Sequence, residues 1–129
     1  MARRLPGILL AVLAAISPIQ SQRDFGAGVP QVRPVAALLT AVKEADEEQL
    51  KMVFSQKVKQ QFDREGWDKA LRTYQDMFKK EFGDYRLQDF SFGFNGDDSR
   101  GTVSVAHKGR ALPGLRVVNE TNEWKIDER

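Results

Sequence analysis

The sequence predicts an α+β domain: amino-terminal helices packed on a curved, four-stranded antiparallel sheet. Two observations carry this. Apolar residues recur with the helical period from Pro34 to Phe82 and then alternate with period two after Gly83. In the second half, turn residues at Asn95-Gly96, Gly101, Lys108–Gly114 and Thr121-Asn122 divide the apolar alternation into short strands.

In chain order, residues 22–33 hold two glycines and one proline without an apolar period, and read as a flexible leader to a single domain spanning 34–129. Pro34 suits a first helical turn, and Val35, Leu38, Leu39 and Val42 form one stripe. Asp46 is placed to cap a second segment carrying Leu50, Val53 and Phe54. Ser55 to Glu65 fits no period cleanly, with Val58 and Phe62 as its apolar contacts. The clearest helix follows Gly66. Trp67, Ala70, Leu71, Tyr74, Met77, Phe78 and Phe82 share one face, and Gly83 is a natural stop.

Phe90, Phe92 and Phe94 then alternate with Asp89, Ser91 and Gly93. Tyr85 and Leu87 have the opposite parity, so a bulge or face change is expected near Gln88. Val103 and Val105 mark a second strand, Lys108 to Gly114 a longer turn, and Leu115 to Asn119 a third strand. Trp124 and Ile126 alternate with Lys125 and Asp127 in a fourth. An inward Trp124 is expected to anchor the sheet on the long helix near Tyr74 or Phe78.

Ahead of the domain, Arg3 and Arg4 precede a 12-residue apolar run, Leu5 to Ile16. A positive flank before a short apolar stretch is the order of a secretory signal peptide, here residues 1–21 with cleavage near Ser21. The run is short of the roughly 20 residues a membrane-spanning helix needs. The expected destination is therefore export, to the periplasm or outside the cell, with no stable membrane span after cleavage. The whole chain has 20 basic and 18 acidic residues; losing Arg3 and Arg4 leaves 18 of each. A near-neutral domain gives no support for nucleic-acid binding. No cysteine is present, which excludes disulfides, thiolate metal sites and a cysteine lipid anchor.

The order of helix, helix, long helix and four strands resembles the cone-shaped nuclear-transport-factor-two-like (cystatin-like) superfamily. Within it, the chain is most similar to small exported bacterial domains of unknown function that lack the early hairpin. The carrying residues are Val42-Lys43-Glu44-Ala45-Asp46 with Leu50 and Phe54, then Phe90 to Phe94 and Gly101-Thr102-Val103-Ser104-Val105. Val117-Val118-Asn119-Glu120 and Trp124-Lys125-Ile126-Asp127-Glu128 complete them. The resemblance implies a cone-like sheet wrapped on the long helix, often around an apolar pocket. It implies no single activity, since such folds serve as isomerases, dehydratases and plain binding modules.

The residues expected to line such a pocket are Tyr74, Phe78, Phe90, Phe92, Phe94, Val105, His107 and Trp124. The leading functional expectation is a non-enzymatic module binding a small apolar ligand or a protein partner. One alternative is a minimal isomerase or hydro-lyase using His107, the chain's one histidine, as proton carrier with Tyr74. Another is a filled core serving structure or homodimer formation. A pocket of about 300 Å³ or more separates the first two from the third. Asp89 lies opposite the phenylalanine face and does not suit a buried base. Asn95, Asp97, Asp98 and Ser99 bring oxygen atoms together but lack the twelve-residue calcium-loop pattern, and turn chemistry accounts for them. Asn119-Glu120-Thr121 is a glycan acceptor only in a eukaryotic source. Asp63-Arg64-Glu65 and Lys79-Lys80-Glu81 read as solvated faces, and no cofactor or metal motif is present.

Overall fold

The computed structural model describes residues 26–129; the proposed signal segment and the start of the leader lie outside the described residues. Four α-helices precede a four-stranded antiparallel meander: α1 (Arg33–Lys43), α2 (Glu47–Lys51), α3 (Gln56–Glu65), α4 (Trp67–Phe82), then β1 (Phe90–Gly96), β2 (Arg100–His107), β3 (Arg110–Glu120) and β4 (Glu123–Ile126). The sheet order is β1-β2-β3-β4, and the sheet is open. The fold is α+β.

Local chemistry sets the helix ends. The Asp46 carboxylate accepts a hydrogen bond from the Gln49 backbone N–H at 3.1 Å, capping α2. Ser55 caps α3, so the ambiguous stretch 56–65 is helical, with Val58 and Phe62 buried beneath it. Gly83 takes φ 68°, ending α4. The change of parity near Gln88 is a single 3₁₀ turn, Leu87–Asp89, in which the Asp89 carboxylate accepts from the Arg86 backbone N–H at 3.0 Å. That donor, with the Arg86 side chain behind it, holds the Asp89 carboxyl below its ordinary range. Asp89 is a capping group.

Three sequence expectations are corrected. The core extends back to Val32, which is fully buried inside the segment read as a leader, and Ala27 and Val29 pack against it. The long turn expected over Lys108–Gly114 is a two-residue turn. Lys108 (φ 50°) and Gly109 (φ 85°) are both left-handed, which matches the twist of a tight hairpin, so β3 resumes at Arg110. The strand then absorbs Pro113 and Gly114 as a bulge: Val103 pairs with Leu115 and Val105 with Leu112. Gly114 is required there, because a Cβ would fall 2.7 Å from Thr102 Cγ2.

The third correction is Trp124. It pairs with Asn119 at the end of the sheet remote from the β2–β3 turn, and its half-buried ring meets Phe94 edge-on at 5.6 Å rather than Tyr74 or Phe78. Phe94 reaches it because Gly101 has no side chain; a Cβ there would lie 2.5 Å from the Phe94 ring. Ile126, two residues on, takes the central place. It is buried, it pairs with Val117, and its backbone bonds the 53–55 segment through Ile126 N–H to Val53 O and Ser55 N–H to Ile126 O, both 2.8 Å. The 53–55 segment thereby caps the outer edge of β4 at Ile126.

Candidate functional site

One face of the sheet carries Phe90, Phe92, Phe94, Val103, Val105, Leu112, Leu115, Val117 and Ile126, as the pairing register requires. The long helix α4 packs on α1, α2 and α3. Its carboxy-terminal Phe82 touches the sheet, meeting Phe90 edge-on at 5.1 Å and His107 at 4.8 Å. At its other end, Trp67 and Tyr74 join Phe54 and Phe62 in an aromatic cluster. Trp67 is fixed there by its Nε1–H, which donates to the Asp63 carboxylate at 2.7 Å.

Between α4 and the sheet lies a cleft of about 350 Å³ that opens to solvent. Tyr74, Met77, Phe78 and Phe82 of α4 form one wall. Val35, Leu38 and Leu39 of α1 supply another, and Phe90, Val105, Leu112, Leu115 and Ile126 of the sheet a third. Glu81, Glu128 and Arg129 stand at its margin. Of the residues singled out in the sequence, Tyr74, Phe78, Phe90 and Val105 border the cleft, and Phe92, Phe94, His107 and Trp124 do not. Phe92 is buried in the core, and Phe94 and Trp124 pair at the far end of the sheet.

His107 is buried behind the cleft wall, its ring 4.8 Å from both Phe82 and Phe90. Its Nε2 has no hydrogen-bond partner among the described residues. The rings of Phe78 and Phe82 stand in series between it and Tyr74, at successive spacings of 5.7, 5.4 and 4.8 Å. His107 and Tyr74 are thus not brought together as an acid–base pair. Tyr74 borders the cleft with a hydroxyl that bonds no described protein group, and burial pushes that hydroxyl up to about 12. It remains a protonated donor at any physiological pH.

The margin residues were missed in the sequence because their partners are distant. Glu81 pairs with Arg110 across from α4 to β3. Glu128 accepts from the Arg116 backbone N–H at 2.7 Å and lies 3.8 Å from its guanidinium. Arg129 donates to Glu65 at 2.6 Å, which holds the Glu65 carboxyl below its ordinary range. Leu112 was hidden in the misread turn. Met77, on the expected face of α4, is half-exposed at the cleft margin.

The other candidate loops are structural. Asp97 Oδ1 accepts from the backbone N–H groups of Ser99 (2.9 Å) and Arg100 (3.1 Å) and from the Ser99 hydroxyl, a turn arrangement that lowers its carboxyl pKa. No cluster of three acidic or histidine ligands occurs among the described residues. Asn119 Nδ2, the atom a glycan would take, donates to the Asp98 carbonyl at 3.1 Å.

Fold and site together define an open-sheet α+β domain with an apolar cleft under its long helix. No family model matches the chain, and no curated protein or solved structure is detectably similar to it.

Proposed function

We propose that the protein is an exported binding module that holds a small apolar ligand in the cleft between α4 and the sheet. The observation that carries the reading is the cleft itself. Its volume of about 350 Å³ falls within the range of small-molecule sites, its walls are aromatic and aliphatic, and its polar groups are few. A filled core would have left no such space, which disfavours a purely structural role. Catalysis by His107 with Tyr74 is disfavoured because His107 stands outside the lining, behind Phe82 and Phe90. Export is supported by Arg3-Arg4 and the apolar run Leu5 to Ile16.

The test is titration with phenylnaphthylamine, an uncharged fluorophore that brightens in apolar surroundings. The parent is expected to bind it saturably. Leu115→Trp, which fills the cleft from β3, is expected to lose that binding while keeping its melting temperature within a few degrees. Absence of saturable binding by the parent, or equal binding by a folded Leu115→Trp variant, refutes the reading.

A further inference from the structure

We infer that the cleft selects an uncharged ligand, a hydrocarbon body carrying one oxygen that accepts a hydrogen bond from Tyr74, as in a long-chain alcohol, ketone or ester. The inference rests on the reading of the cleft as a ligand site and specifies the ligand's chemistry.

Two features carry it. The first is the state of the charges at the margin. Glu81, Glu128 and Arg129 each already have an opposite partner: Arg110, Arg116 and Glu65 respectively. Three arginines balance three glutamates, so the margin carries no net charge to favour an ionic head of either sign. A carboxylate seated there meets two glutamates and shares Arg129 with Glu65. An ammonium shares its glutamate with Arg110 or Arg116, so neither ion gains a partner of its own. Deeper in, either ion faces an aromatic and aliphatic wall that cannot pair it.

The second feature is Tyr74. Its ring is held by Phe54, Phe62 and Phe78 at centroid distances of 6.1, 6.3 and 5.7 Å, which fixes where the hydroxyl stands on the cleft border. No described group accepts from it, and its environment keeps it protonated. A hydroxyl that borders the cleft and bonds no described protein group is free to donate to a neutral ligand oxygen, and that bond fixes which end of the ligand enters first.

The experiment is displacement of phenylnaphthylamine from the full chain by decanol, decanoate, decylamine and chlorodecane, repeated on Tyr74→Phe. In the parent, decanol is expected to displace at a concentration at least about tenfold below decanoate and decylamine, the discrimination expected when an ion must be buried unpaired. Tyr74→Phe is expected to weaken decanol about three- to tenfold, one hydrogen bond's worth, and to leave chlorodecane unchanged. That variant removes only an unpartnered hydroxyl, so it should fold as the parent does. If decanoate or decylamine matches decanol while the fluorophore still binds, the inference is overturned and the cleft reading stands. If Tyr74→Phe weakens decanol and chlorodecane alike, or neither, the role of Tyr74 is overturned. If the fluorophore does not bind the parent, the cleft reading fails and this inference with it.

Discussion

Tyr85→Phe deletes a single oxygen at the joint between α4 and β1. In the parent, the Tyr85 hydroxyl donates to the Leu39 carbonyl of α1 at 2.6 Å, in a buried setting. The ring, 5% exposed, is boxed by Phe78, Phe82 and Phe90 at 6.1, 5.7 and 5.7 Å, and Lys43 Nζ lies over it at 5.2 Å. Phenylalanine keeps all of that packing, so the loss near pH 7 is the net worth of one buried hydrogen bond, about 1 kcal/mol. The same burial pushes the Tyr85 hydroxyl from 10.0 to about 12. A raised folded-state value means that the parent's stability from this group is complete below about pH 10 and is lost as pH rises through about 12. Each pKa unit corresponds to about 1.4 kcal/mol in full, and with solvent screening the shift removes about 1–2 kcal/mol in that window. The variant has no group to ionise there. Its deficit near neutral pH should shrink and then reverse between about pH 10 and 12. Urea melts of both proteins across that range measure the crossover. The chain has two tyrosines, and both are raised to about 12, so tyrosinate absorbance of the folded parent should develop well above pH 10. A variant gap that stays constant with pH, or one tyrosine titrating near 10 in the folded parent, refutes the reasoning.

His107→Phe should raise stability by about 1 kcal/mol in denaturant melts, because it replaces an unpartnered buried Nε2 with a ring that suits the slot between Phe82 and Phe90; a loss of stability would show that the imidazole has a partner. Trp124→Ala should cost about 1–2 kcal/mol, since a half-buried ring loses mainly its contact with Phe94. A loss of about 3–5 kcal/mol in the same melts would mean the tryptophan is a fully buried anchor, as its parity in the strand first suggests.

What the chain determined by itself is local. The capping of α2 by Asp46, the run of α4 from Trp67 to Phe82, and the common face of Phe90, Phe92 and Phe94 follow from side chains within a few residues of one another. Helical and strand periods report those directly. The order of helices before strands was legible for the same reason, and so were Tyr74, Phe78, Phe90 and Val105 as residues of one apolar surface. Only the tertiary structure decided what that surface meets. A period tells which side of an element is apolar, but not whether its partner packs flush or stands off, and α4 stands off the sheet around Tyr74 and Phe78, which makes the cleft. Register was equally non-local. The left-handed Lys108-Gly109 turn and the Pro113-Gly114 bulge placed Leu112 on the inner face, while the missing side chain at Gly101 let Phe94 cross to Trp124. The margin ion pairs join residues as far apart as Glu65 and Arg129, and a pairing over that separation exists only once the backbone has closed the loop between them.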